Sequence, residues 1–328
     1  MKTKSIFLAS ILALSIFFIF NCGEDDSSAS KYTNLGKKWT LATDEPGWSE
    51  REYHKSIVYD NKIWIFAGYD KDWHYGDVWS SKDGINWEDE ENNIGSILAG
   101  DEVCICEFKD KFWVISEDGI AYSKDLKDWN SVEIDDGNVW NNKLLTDRNR
   151  PKCVVNDDKI WIIGGTRYPN DDVWSSSDGI KWKEISEDIG EVSRTSAAVV
   201  SFDNKIWIIG GHTTYVGDDS EVKISDEVWS SSDGEKWKLE SNLPRSRKGH
   251  TSLVFDNKIW VISGNCWNEE GYVFYSSDGK EWIEASDDAP SRCGHSSVAF
   301  DNKLWIFGGD STGEGGSDGF VNEVWYSD

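Results

Sequence analysis

Along most of this chain the apolar positions come in short β-branched or aromatic bursts separated by Asp, Asn and Gly, and the bursts recur in a fixed order. The stretch from Ser196 to Glu240 shows the unit. Ser196 to Phe202 is apolar and β-branched and reads as a strand. Asp203 and Asn204 tolerate positive φ, so a two-residue turn is predicted there. Lys205 to Gly211 reads as a second strand ending in a glycine pair. A polar loop leads to a third strand at Asp226 to Ser232. Asp233-Gly234 predicts another tight turn, and Lys236 to Glu240 reads as the fourth strand. Four antiparallel strands joined in this way make one propeller blade.

The tryptophan of the second strand counts the copies. It stands at Trp64, Trp113, Trp161, Trp207, Trp260 and Trp305, at intervals of 45 to 53 residues, with Trp113 in the weakest copy. The third strand carries Trp79, Tyr122, Trp174, Trp229, Phe274 and Trp325. The fourth carries Trp87, Trp129, Trp182, Trp237 and Trp282. Glycine doublets follow the second strand at Gly164-Gly165, Gly210-Gly211 and Gly308-Gly309, with Ala67-Gly68 and Ser263-Gly264 as relaxed forms. This order of features resembles the kelch repeat over roughly residues 36–328. The tyrosine usual between the glycine pair and the next tryptophan has no fixed place here. The resemblance implies an all-β, six-bladed propeller. The sixth copy reaches Asp328 without a fourth strand, while Gly36-Lys37-Lys38-Trp39 matches the Gly-x-x-Trp that opens the others. The N-terminal strand is therefore expected to complete the last blade, leaving no open sheet edge. Most of the 20 tryptophans then have a structural task, filling the wedges between blades.

Composition adds an address. With 328 residues, 38 % hydrophobic, 29 % charged and mean hydropathy −0.57, the chain has the length and apolar content for a full core. Residues 1–21 differ from the rest. Lys2 and Lys4 precede an apolar run from Ile6 to Phe20, and Cys22 follows, leading into a polar tether over 22–35. A charged start, an apolar run and a Cys resemble a bacterial lipoprotein signal, of the looser kind similar to spirochaete lipoproteins, since Asn21 replaces the usual small residue. The resemblance implies removal of 1–21, lipidation of Cys22 and a membrane attachment in the cell envelope. The competing reading is an ordinary secretory signal or an uncleaved anchor. The propeller would occupy 36–328. Net charge is −26, and removal of 1–21 deletes two lysines and no acid, so the remainder is more negative still. Such a surface repels nucleic acid, which is not expected as a partner.

Five cysteines remain after Cys22. Cys266 and Cys293 fall in loops on one face of adjacent blades, so a disulfide between them is possible in an exported chain. Cys104 and Cys106 share one face of a strand and read as small buried residues rather than a metal pair, since no second cluster accompanies them. No motif asks for a cofactor or a metal.

The basic residues are sorted by position. Every arginine, including Arg51, Arg150, Arg194, Arg247 and Arg292, lies in a connection entering a first strand or in a second-to-third loop. His54, His250 and His295 stand at first-strand entries. These connections belong to one face of a propeller. A planar guanidinium grips a carboxylate, phosphate or sulfate at two points. The set therefore marks a candidate anion-binding mouth, to which Trp73, Tyr215 and Trp267 on the same loops would add stacking surfaces. The structural alternative is equally concrete. Arg247-Lys-Gly-His250 and Arg292-Cys-Gly-His295 resemble the general kelch pattern, in which the arginine pairs with a carboxylate and pins the loop. Likewise the Ser-Ser-Asp-Gly-x-x-Trp turns resemble the Asp-box of sialidases, one residue shorter, as a hairpin device and not a catalytic one. The expected function is a binding module for an anionic peptide or acidic glycan. The alternative is an enzyme on an acidic sugar, similar to sialic-acid mutarotases, with a His or Glu at the mouth as acid–base group.

Overall fold

The computed structural model describes residues 34–93, 103–116, 119–132, 144, 151–165, 172–187, 189, 192–215, 222–265, 271–312 and 319–328. Asn34–Asp328 forms one compact unit. It is a six-bladed β-propeller. Each blade is a four-stranded antiparallel sheet, and no helix occurs among the described residues.

Blade 4 shows how the repeat folds. Its strands are Ala198–Phe202, Lys205–Ile209, Glu227–Ser231 and Lys238–Asn242, paired in that order from the axis outward. Asp203 and Asn204 take φ of 49° and 55°, and every other blade has a positive-φ pair at the same turn, such as Asp60-Asn61 and Asp301-Asn302. The second turn is not the two-residue hairpin that Asp233-Gly234 suggested. Ser231 Oγ accepts from the Gly234 N–H at 2.8 Å, Asp233 Oδ1 accepts from the N–H groups of Glu235 and Lys236, and Trp237 Nε1 donates to the Gly234 carbonyl. Satisfying these groups locally delays the fourth strand to Lys238. Asp83, Asp125, Asp178 and Asp278 build the same turn.

The second-strand tryptophans join the blades. Each indole N–H donates to the carbonyl five residues earlier, as Trp207 does to Phe202 at 2.9 Å. The ring then rests on the turn glycine of the following blade. A Cβ on Gly279 would lie 2.3 Å from the Trp207 ring, and one on Gly84 would lie 2.2 Å from Trp305. Only glycine fits so close an approach, and its φ of +71° and +74° at these two sites suits it as well. Blade 2 departs from this. Leu126 takes the glycine's place at φ 65° and packs, fully buried, in one cluster with Trp64 of blade 1.

The ends of the chain meet. Thr40–Thr43 pairs with Phe320–Ser327, Leu41 opposite Trp325, and so forms the outer strand of blade 6. Even the turn is rebuilt across the junction. Gly36 N–H donates to Ser327 Oγ at 2.8 Å and Trp39 Nε1 donates to the Gly36 carbonyl. The hairpin that blades 1, 3, 4 and 5 make from one continuous Ser-x-Asp-Gly-x-x-Trp is made here from both ends.

Two features of the loop face were read differently from the sequence. The segment His212 to Asp226, expected as a long polar loop, contributes strands His212–Tyr215 and Val222–Ile224. These join Val192–Thr195, in the connection entering blade 4, as a small three-stranded sheet. Cys104 is not merely a small buried residue. It is bonded to Cys153, tying the innermost strands of blades 2 and 3, whereas Cys106 is free and buried. Burial pushes the Cys106 thiol up to about 12, which leaves it inert. Cys293 is disulfide-bonded. Cys266, expected as its partner, lies outside the described residues, as does Cys22.

Candidate functional site

Entering connections and second-to-third loops do share a face, and they pair with one another there. Glu52 bridges Tyr69, Arg194 pairs with Thr213, and Cys293 bridges Asp310. Below them, at the axis, lies a cavity of about 240 Å³ to which all six blades contribute, lined by Ser56, Lys55, Lys152, Thr251, Ser252 and Ser297 among others.

The three histidines border this cavity and act in packing. Gly308 has φ +51°, and a Cβ there would sit 3.0 Å from His54 Cε1. Gly210, at φ +59°, stands in the same relation to His250. Each of these two imidazoles thus seats on the glycine pair of the preceding blade. Its nitrogens find no well-aligned partner in His54 or His250, although the backbone of Phe307 stands beside one ring and that of Ile209 beside the other. His295 Nε2 meets Thr251 Oγ1 at 2.9 Å. Burial, and after it the charge of Arg51, holds His54 well below the ordinary histidine range. Burial and Arg247 do the same to His250, and burial with Arg292 brings His295 down to about 3. Neutral rings of this kind are poor proton carriers near pH 7.

The arginines do not form an open ring. Arg51 is fully buried and holds Asp77 through both Nη atoms, with its Nη2 2.8 Å from Asp77 Oδ2. It also donates to the carbonyls of Ser49 and Ala67 and lies 4.1 Å from the Tyr75 ring centre. Arg194 pairs with Glu227 and Ser225, and Arg292 pairs with Glu323. In each blade the carboxylate stands two residues before the third-strand tryptophan and accepts that indole N–H as well: Trp79 on Asp77, Trp229 on Glu227, Trp325 on Glu323. Blade 3 has the same indole-to-carboxylate bond from Trp174 to Asp172 at 2.7 Å; its arginine, Arg150, lies outside the described residues. These carboxylates were missed in reading the sequence, although an Asp or Glu two places before the tryptophan recurs as Asp-Val-Trp or Glu-Val-Trp at all four sites.

Blade 5 breaks the pattern at both ends. Tyr272 replaces the carboxylate and Phe274 replaces the tryptophan. Arg247 is 2 % exposed yet pairs with no carboxylate among the described residues. It donates to the carbonyls of Ser263 at 3.0 Å and Tyr272 at 3.4 Å, and its guanidinium lies 4.5 Å from the Phe274 ring centre. A cavity of about 290 Å³ opens beside it, walled by Arg245, Ser246, Asn265 and Tyr272.

Among the described residues, blade 1 carries the most exposed aromatic. Asp70 Oδ1 accepts from the N–H groups of Asp72 and Trp73 at 2.7 Å each, and its Oδ2 accepts from the Tyr75 hydroxyl. Tyr69 stacks on Tyr53 at 5.6 Å and bridges His74. This bracing holds Trp73 at the loop tip, 69 % exposed. Tyr215 ends a strand of the small extra sheet, its backbone opposite Val192. Trp267 lies outside the described residues. No three His, Cys, Asp or Glu side chains among the described residues gather closely enough to share a cation.

Comparison with known proteins agrees with this architecture. The family described as the DUF6242 beta propeller domain matches residues 37–149, from the closing strand onward. A 134-residue stretch is 25 % identical to Host cell factor 1 of Homo sapiens, covering 34 % of this chain and 7 % of that protein. The chain thus spans a small part of that relative's length.

Proposed function

We propose that this chain is an exported, lipid-anchored propeller of the kelch type that acts as a non-catalytic binding module at the cell envelope, its partner an anionic peptide or acidic glycan. The observation that carries the reading is Trp73. A large aromatic, exposed at a loop tip and fixed there by an Asp70-centred turn, is the kind of rigid anchor that dominates binding energy at interfaces. It rises from the face where the connections of the blades converge. The histidines that an acid–base mechanism would draw on are neutral and wedged between blades, which favours binding over turnover.

Arrays of acidic peptides and acidic glycans test the reading. A binder should emerge, and Trp73→Ala should weaken it by roughly tenfold or more with an unchanged melting curve. Equal binding by wild type and variant would remove Trp73 from the interface. Conversion of a bound sugar acid, followed by NMR, would overturn the non-catalytic reading. For the anchor, Cys22→Ser should move the protein from the membrane fraction to the soluble one and abolish labelling by radioactive fatty acid.

A further inference from the structure

In three blades the arginine of the entering connection closes on a carboxylate supplied by the chain: Asp77, Glu227 or Glu323. In blade 5 the same arginine is just as deeply set, but the chain offers Tyr272 where the carboxylate would be. A second arginine stands at the rim. Arg245 is exposed, and its guanidinium lies 4.0 Å from the Tyr272 ring centre. Asn265 ties the floor together, accepting from Lys248 N–H at 3.1 Å and donating to the Ser246 carbonyl. The result is a built cavity with two guanidinium groups, neither of them in an ion pair with an acid among the described residues; Glu284 acts on Arg247 only through its more distant charge.

We propose that this blade-5 cavity is a carboxylate-binding site, in which Arg247 and Arg245 take an acidic group of the partner where blades 1, 4 and 6 use their own. The sister blades show which chemistry fits, because an Asp or Glu side chain occupies the corresponding place in each. A buried guanidinium that lacks a counter-charge gains most from one delivered in a two-point contact. Burial, and after it the neighbouring Arg245, pulls Arg247 down to about 9, which still leaves it cationic at pH 7. The inference rests on the reading of the chain as a binding module, but it concerns a different blade from Trp73.

Titration calorimetry on the full-length protein at low salt tests it, with hexaglutamate peptide, glucuronate and inorganic phosphate as probes. A carboxylate probe should bind. Binding of the peptide alone assigns the acid to a protein partner, and binding of glucuronate assigns it to a glycan. Arg245→Gln, at an exposed position that leaves folding intact, should weaken binding roughly tenfold. Tyr272→Glu should restore the sister-blade pattern, abolish binding and keep or raise Tm. Array capture that depends on Trp73 while hexaglutamate and glucuronate fail to bind would sink this site alone, and the reverse result would sink the blade-1 reading alone. Failure of both carboxylates to bind, preference for phosphate over both, or undiminished binding by Tyr272→Glu would overturn the proposal.

Discussion

Blades 1 and 5 are made from the same parts and put them to different use. Each has an entering arginine buried behind a first-strand histidine, and each replaces the first glycine of the pair with another residue, Ala67 or Ser263. In blade 1 Arg51 is shared between Asp77, two carbonyls and the Tyr75 ring, and every donor direction meets the chain itself. In blade 5 Arg247 meets three carbonyls and a phenylalanine face, and a cavity lies where Asp77 would be. One arginine is a bolt and the other a socket. The exchange of Asp77-Val-Trp79 for Tyr272-Val-Phe274 accounts for the whole difference, since the indole and the guanidinium share one acceptor and both lose it together.

The contrast can be broken hardest at Asp77. Asp77→Ala would strand a buried guanidinium and an indole N–H, and should cost about 3–5 kcal/mol in denaturant unfolding. In blade 5 the chain already lives without that carboxylate. A loss below 1 kcal/mol would show that Arg51 is no more dependent on its partner than Arg247 is.

Acid should expose what the two blades have in common. The histidines have folded pKa values below the unfolded value of about 6.5, so below that pH the unfolded chain binds protons that the native state refuses. Stability is complete above pH 6.5 and falls on acidification, by about 1.4 kcal/mol per pH unit for each such histidine. For His295 the decline continues to about pH 3. Calorimetric melting should show Tm level from pH 7.5 to about 6.5 and falling from there to pH 5, and His250→Asn should lower Tm at pH 7.5 but flatten the slope. A flat profile in the wild type would mean that these rings take up protons freely.

The smallest effect sharpens the comparison of the relaxed glycine pairs. Ala67 sits at φ 57° and Ser263 at φ 55°. Ala67→Gly should stabilise by about 1 kcal/mol by relieving left-handed strain. Ser263→Gly should not, because it removes a hydroxyl that donates to the Pro290 carbonyl at 2.7 Å and accepts from the Arg292 N–H. Equal shifts in the unfolding midpoint would erase that distinction.

Much of the fold was legible. The positive-φ Asp-Asn turns, the ordered tryptophans and the Gly36-to-Trp39 match are local signals, and each led to the correct strand, blade or closure. The candidate site was legible in outline only. Charge and position placed the arginines on one face, but whether a given arginine is free depends on an acid 26 to 33 residues away. The small sheet over blade 4 was hidden for a related reason. His212-Thr-Thr-Tyr215 is polar enough to pass for a loop until a partner segment lies alongside it.

The amino-acid order alone determined the unit, the number of blades and the way the ring shuts, because turns and strand alternation are decided among neighbours within one repeat. Tertiary structure decided which basic groups are neutralised, which cysteines bond and where a cavity remains. Those outcomes depend on the separation of side chains brought together from distant strands, and a gap of a few ångströms divides an ion pair from an open site.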